Sequence, residues 1–133
     1  TIELADYPSL FPQAEPAVRR DRHWLFGTAE RFVQLRRELA ENGHTMGSAA
    51  RILAGGPDAD RWADLARLEG VFLQAVRQAG LRDADAAKLE AVEAPQTPPD
   101  VQRIMVAAVP DPLPLCVRAL EKLSEREQLF CVR

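Results

Sequence analysis

Two long apolar stripes, each stopped at a glycine, constrain this chain more than any other feature of its sequence. Leu25, Thr28, Phe32, Leu35 and Leu39 recur at spacings of 3, 4, 3 and 4, which puts them on one side of an α-helix. Arg31, Arg36, Arg37, Glu38 and Glu41 fall between or beside them. Asn42-Gly43 ends the run, with Gly43 as the expected left-handed residue past the helix. Trp62, Leu65, Leu68 or Glu69, Phe72, Val76 and Ala79 repeat the pattern, and Gly80 closes it. A chain with two such stripes can bury them only by packing helix on helix.

Shorter helices fill the intervals. Thr45 is placed to cap a helix running to Leu53, which Gly55-Gly56-Pro57 terminates. Asp58 or Asp60 can cap the second long helix. Asp83 can cap a helix from Ala84 to about Glu93. Pro16 suits the first turn of the first long helix, where a missing N–H costs little. The aromatic residues Trp24, Phe26, Phe32, Trp62 and Phe72 are expected in the core between the two long helices. Residues 1–15, with Pro8 and Pro12, read as an irregular lead-in to a helical subdomain over 16–94.

The pattern changes at Pro95. Pro95, Pro98 and Pro99 make a stiff connector over 95–100. Val101 to Val109 is then a short apolar run bounded by prolines, the best strand candidate in the chain. Pro110-Asp111-Pro112 is a turn. Leu113, Val117, Leu120 and Leu123 mark a helix, with Cys116 on the same face, and Leu129 to Val132 reads as a second strand. The expected fold is therefore mostly α with a C-terminal βαβ element over 101–133: a helical subdomain packed on a small, parallel, two-stranded sheet. Two strands alone leave open edges. Either the helices cover them, or another chain or further segments complete the sheet.

Composition excludes several classes. With 133 residues, 47% hydrophobic and 28% charged, the chain is long enough for one domain with a modest core. Its net charge of −3 disfavours a dedicated nucleic-acid binder. Its longest uncharged apolar stretch, from Ile104, is far too short to span a bilayer, so no membrane role is expected. Cys116 and Cys131 sit in apolar patterns and read as buried reduced thiols, which points to the cytoplasm. The chain opens on Thr1 and closes on an apolar run, so a longer parent polypeptide is expected.

No complete catalytic motif appears. His23 and His44 have no second ligand at metal spacing, and no metal or other cofactor is expected. Phosphate-binding glycine loops and serine-nucleophile motifs are missing. Capping explains the acidic pairs Asp58/Asp60 and Asp83/Asp85. Arg19, Arg20 and Arg22 read first as a solvated helix face and second as a contact for DNA or a partner. The run ending at Ala107 and Ala108 lies where a nucleotide-hydrolysing fold carries carboxylates that hold Mg²⁺. Alanine cannot do that work.

Several stretches resemble AddB-type helicase–nuclease subunits. They are Trp62 to Glu69, Gly80 to Asp83, Val101 to Leu120, and Tyr7-Pro8-Ser9-Leu10-Phe11-Pro12. Residues 106–115 look like that family's "V-x-G-x-x-D-x-x-P-L" strand and turn. The family partners the AddA helicase in double-strand-break repair; its N-terminal part is an inactivated superfamily I helicase and it ends in a PD-(D/E)xK nuclease domain. The resemblance implies that Ala107, Ala108 and Asp111 mark a degenerate Mg-ATP motif. The nuclease motif and the iron–sulfur cysteines of some relatives have no counterpart here. The implied function is a non-catalytic piece of such a subunit, a scaffold for DNA or for a partner helicase subunit. The alternative is a stand-alone interaction module that forms a homodimer through its βαβ segment.

Overall fold

The computed structural model describes residues 3–12, 21–107 and 109–127, with only the backbone for the last two. Five α-helices follow in chain order: α1 (Arg22–Glu41), α2 (Met46–Ile52), α3 (Ala59–Gln78), α4 (Ala84–Glu93) and α5 (Pro114–Glu127). A single 3-10 turn, Leu4–Asp6, precedes them.

The helix ends follow from local chemistry. The Asp21 carboxylate accepts from the His23 N–H and starts α1. At its other end the His44 N–H donates to the Leu39 carbonyl and the Gly43 N–H to the Ala40 carbonyl. This double closure needs a left-handed residue, and Gly43 has a φ of 79°. Helix α3 ends the same way: Leu81 N–H donates to Val76, Gly80 N–H to Arg77, and the φ of Gly80 is 70°. A reciprocal capping box opens α2, with Thr45 and Ser48 each accepting from the other's backbone N–H. Asp83 caps α4 through the Ala86 N–H. Asp58 precedes α3 but makes no side-chain cap bond. Pro114 occupies the first position of α5, as its fixed φ and absent N–H favour. Pro16, expected in the first turn of α1, lies outside the described residues.

Helix α2 packs on α3, α4 packs on α1 and α5, and α5 also touches α1. Met46 is completely buried between α2 and its neighbours, and Ala40, Ala49, Val92, Leu115 and Leu123 complete the tight part of the core. Phe32 of α1 and Phe72 of α3 meet edge to face at 5.8 Å. The described part of the N-terminal segment packs against α3. Tyr7 is buried, the Asp64 carboxylate accepts from the Ser9 N–H, and the Arg67 guanidinium lies over the Tyr7 ring while donating to Asp64 and to the Asp6 carbonyl. Phe11 then stacks edge-on against Trp24 of α1.

The expected C-terminal βαβ element with its two-stranded sheet is not present: no strand or sheet occurs among the described residues. Residues 101–107 and 109 are irregular, and α5 follows them as expected. The second expected strand, Leu129 to Val132, lies outside the described residues. The physical reason for the missing first strand is pairing. A strand is stabilised by ladder bonds and cross-strand contacts, and no neighbouring strand among the described residues offers them. Pro110 also disfavours helical backbone at the residue before it. Two side-chain expectations fail with it. Cys116 is exposed, so it is not a buried thiol, and Phe26 is 69% exposed, so it is not core. Both project from the outer sides of helices whose inner faces are occupied by other residues.

Candidate functional site

The structure describes only some of the positions singled out from sequence. Ala107 is exposed in the irregular segment, Ala108 lies outside the described residues, and Asp111 is exposed in the bend before α5. Among the described residues no strand end carries Ala107 or Asp111. Arg22 is exposed at the first position of α1, while Arg19 and Arg20 lie outside the described residues. His23 is exposed, and His44 is half-buried with Nδ1 3.3 Å from the Ser48 hydroxyl. No group of three or more His, Cys, Asp or Glu that could hold a metal ion occurs among the described residues.

Sequence reasoning missed the most organised polar group. Arg36, with its side chain 4% exposed, forks onto Asp83 through Nη1 and Nη2 at 3.0 and 2.9 Å. Its Nε donates to Glu69 at 3.1 Å, and its guanidinium lies 4.7 Å from the centre of the Phe72 ring. One cation thus faces two carboxylates. Helix starts offset the extra negative charge: Asp83 also accepts from Ala86 N–H at 2.8 Å, and Glu69 accepts from Gly47 N–H at 3.4 Å. Desolvation works against the Arg36 charge, but the bonds to Asp83 and Glu69 outweigh it and raise its pKa. The Arg36 bond, opposed by desolvation and helped by Ala86, holds the Asp83 carboxyl below the usual carboxylate range. All three Arg36 nitrogens are engaged, so the cluster ties α1, α3 and the start of α4 together. The signal was present in part: Arg36 lies one residue from Leu35 and four from Phe32, and Glu69 lies within the α3 stripe.

Above this cluster the two long stripes do not close on each other. Between α1, α3 and the N-terminal turn lies an open apolar groove of about 440 Å³ walled by Phe11, Phe32, Leu35, Trp62, Leu65 and Leu68. Arg31 and the exposed pair Arg61–Asp58 stand at its rim. Its walls are half-buried, so the groove is a packing gap with a charged border.

The most exposed apolar stretch is the linker between α4 and α5. Val101, Ile104, Met105, Val106 and Val109 are all exposed, Met105 by 78%, and Leu113 continues the series. Glu93 fixes the base of this arm, accepting from Arg118 at 2.7 Å and Lys122 at 2.5 Å and so clamping α4 to α5. The Lys122 bond, against desolvation and together with the Arg118 charge, lowers the Glu93 pKa. Within the arm, Val101 N–H donates to the Pro98 carbonyl. No other backbone hydrogen bond reaches residues 102–107 or 109 within the described residues.

Among the described residues no helix is long and apolar enough to cross a membrane. Comparison with models of protein families, with curated proteins and with solved structures gave no match.

Proposed function

We propose that this chain is a non-catalytic docking module of a larger assembly. The particular reading is a scaffold segment of an inactivated helicase/nuclease subunit in cytoplasmic double-strand-break repair. The observation that supports docking is the arm. Its apolar side chains are presented to solvent from a base clamped by Glu93, Arg118 and Lys122. Covering a residue such as Met105 or Val106 contributes about 1.5–3 kcal/mol, so an assembly that buries several has ample driving force. The resemblance to AddB-type subunits supplies the choice of assembly.

A photo-crosslinking residue in place of Met105, compared with one in place of the exposed Gln74 on α3, tests the docking. The expected product is a crosslink to a helicase or nuclease polypeptide from position 105 and none from position 74. Equal crosslinking from both, or none, would end the docking reading. Charge reversal of Arg19, Arg20 and Arg22 tests the DNA half. Unchanged affinity for duplex and single-stranded DNA across salt concentrations would remove DNA contact through those residues.

A homodimer is the second reading. The outer side of α1 favours it, because Phe26 and Val33 are exposed there together. Light scattering on the purified chain separates the two: a monomer at micromolar concentration counts against the homodimer.

A further inference from the structure

We infer that residues 3–11 form a detachable strap on the α1–α3 groove, closed in this structure and able to lift off while the helices stay folded. The inference does not rest on the docking reading of the arm. It follows from where the strap is fastened and from what its release would break.

The strap is fastened at one place. Among the described residues, the hydrogen bonds that leave it go to α3 alone. The Asp64 carboxylate accepts from the Ser9 N–H at 3.0 Å. Arg67 donates to the Asp6 carbonyl, and its guanidinium lies 5.2 Å from the centre of the Tyr7 ring. Tyr7 is the only buried residue of the strap, and Phe11 adds an edge-on contact with Trp24 of α1 at 5.7 Å. The remaining backbone bonds are internal: Asp6 to Glu3, Tyr7 to Leu4, and Leu10 and Phe11 to Tyr7. These can travel with the strap as a unit.

Release breaks little else. Asp64 and Arg67 stand three residues apart on α3 and are bonded to each other at 2.6 Å. That pair belongs to the helix and survives when the strap leaves. Asp64 then exchanges the Ser9 N–H for water, and Arg67, already 57% exposed, does the same for the Asp6 carbonyl. No buried charge is left without its partner, which is the costly outcome at an ion pair. The groups that hold the bundle are separate. Arg36 with Glu69 and Asp83, and the buried Met46, Val92 and Leu123, take part in none of the strap's hydrogen bonds. A segment with few buried contacts and a separate support opens locally, below the free energy of global unfolding.

The strap also covers something. Leu10 and Phe11 wall the groove whose other apolar walls are Phe32 and Leu35 of α1 and Trp62, Leu65 and Leu68 of α3. Lifting the strap removes that wall and lays the facing stripes of the two long helices open on their unclosed side. The closed strap is therefore an intramolecular cover, an autoinhibitory contact over the most aromatic surface of the bundle.

Amide exchange of the whole chain, followed residue by residue at urea concentrations below the unfolding transition, tests this. The Ser9 and Phe11 amides should be protected relative to an unfolded peptide. They should still open on the order of 100-fold or more often than the Arg36, Ala40 and Phe72 amides, with little dependence on urea. Tyr7→Ala removes the anchor without altering a helix. It should speed exchange at Ser9 and Phe11 by about tenfold and leave the helix amides as in the parent. With Trp24→Phe, Trp62 is the one tryptophan left in the chain, and acrylamide should quench it more strongly once Tyr7→Ala is added. Strap amides that share the rates and urea dependence of the helix amides would make strap and bundle one cooperative unit and overturn the inference. A Tyr7→Ala variant that loosens both sets alike would do the same. Ser9 and Phe11 amides without protection in the parent would remove the closed state. Quenching of Trp62 unchanged by Tyr7→Ala would overturn the strap's role as a cover.

Discussion

Replacing Arg36 by methionine should cost this bundle a large part of its stability. The Glu69 and Asp83 side chains are 10% and 12% exposed, and both face the guanidinium. Methionine fills much of the same volume and keeps contact with Phe72, but it leaves two carboxylates facing each other with no cation between them. Three charge-assisted hydrogen bonds disappear. Breaking a buried ion pair by removing one partner costs about 3–5 kcal/mol, against a total stability of about 5–15 kcal/mol for an ordinary domain. With a urea m-value of about 2 kcal/mol/M, the unfolding midpoint should fall by about 2 M. The loss should come from stranded charge rather than lost packing. The triple variant Arg36→Met, Glu69→Leu, Asp83→Asn should therefore recover at least half of it. The asparagine side chain that Asp83→Asn introduces can still accept from the Ala86 N–H, so the cap on α4 survives in that variant. Arg36→Lys keeps the charge but cannot fork onto Asp83, and should fall between parent and Met. A midpoint within about 0.5 M of the parent for Arg36→Met would refute the reasoning, as would a triple variant no more stable than the single one.

Three further outcomes follow from the same structure. Because Arg36 lowers the Asp83 pKa, its contribution is complete above the unfolded value of about 3.9 and is lost as pH falls through the lower folded value. Urea midpoints should hold level from about pH 7 to 5 and drop below about pH 4, and the gap between parent and Arg36→Met should shrink over that same acid limb. Thr45→Ala removes one half of the α2 capping box and should destabilise by about 1 kcal/mol in a thermal or urea melt, with Thr45→Asn close to the parent. Gly43→Ala forces a Cβ onto a φ of 79°, with no clash nearer than 3.7 Å, so its cost is backbone strain. A loss of about 1–2 kcal/mol in the same melts is expected, and less for Gly43→Asn, which tolerates that conformation.

The helices could be read from sequence because their causes are local. The stripes ending at Leu39 and Ala79, the caps at Thr45 and Asp83, and the glycine stops at 43 and 80 all act within one or two turns. The candidate site could not be read the same way. Glu69 lies 33 positions from Arg36 and Asp83 lies 47, and only packing brings them within hydrogen-bond reach. On a sequence, each resembles a solvated charge or an ordinary cap. The Val101 to Val109 run failed for the opposite reason. Its side-chain pattern is that of a strand, but a strand needs a neighbour and this chain supplies none among its described residues.

Sequence by itself therefore determined where the chain turns helical and where each helix stops, because capping, glycine geometry and apolar spacing are short-range effects. Only the tertiary structure decided what those helices do together. It placed a buried cation between two distant carboxylates, docked Tyr7 against α3, and left the apolar run that begins at Val101 outside the core. The reason is that pairing and burial are relations between segments, and a segment carries its own half of such a relation without revealing whether the other half is present.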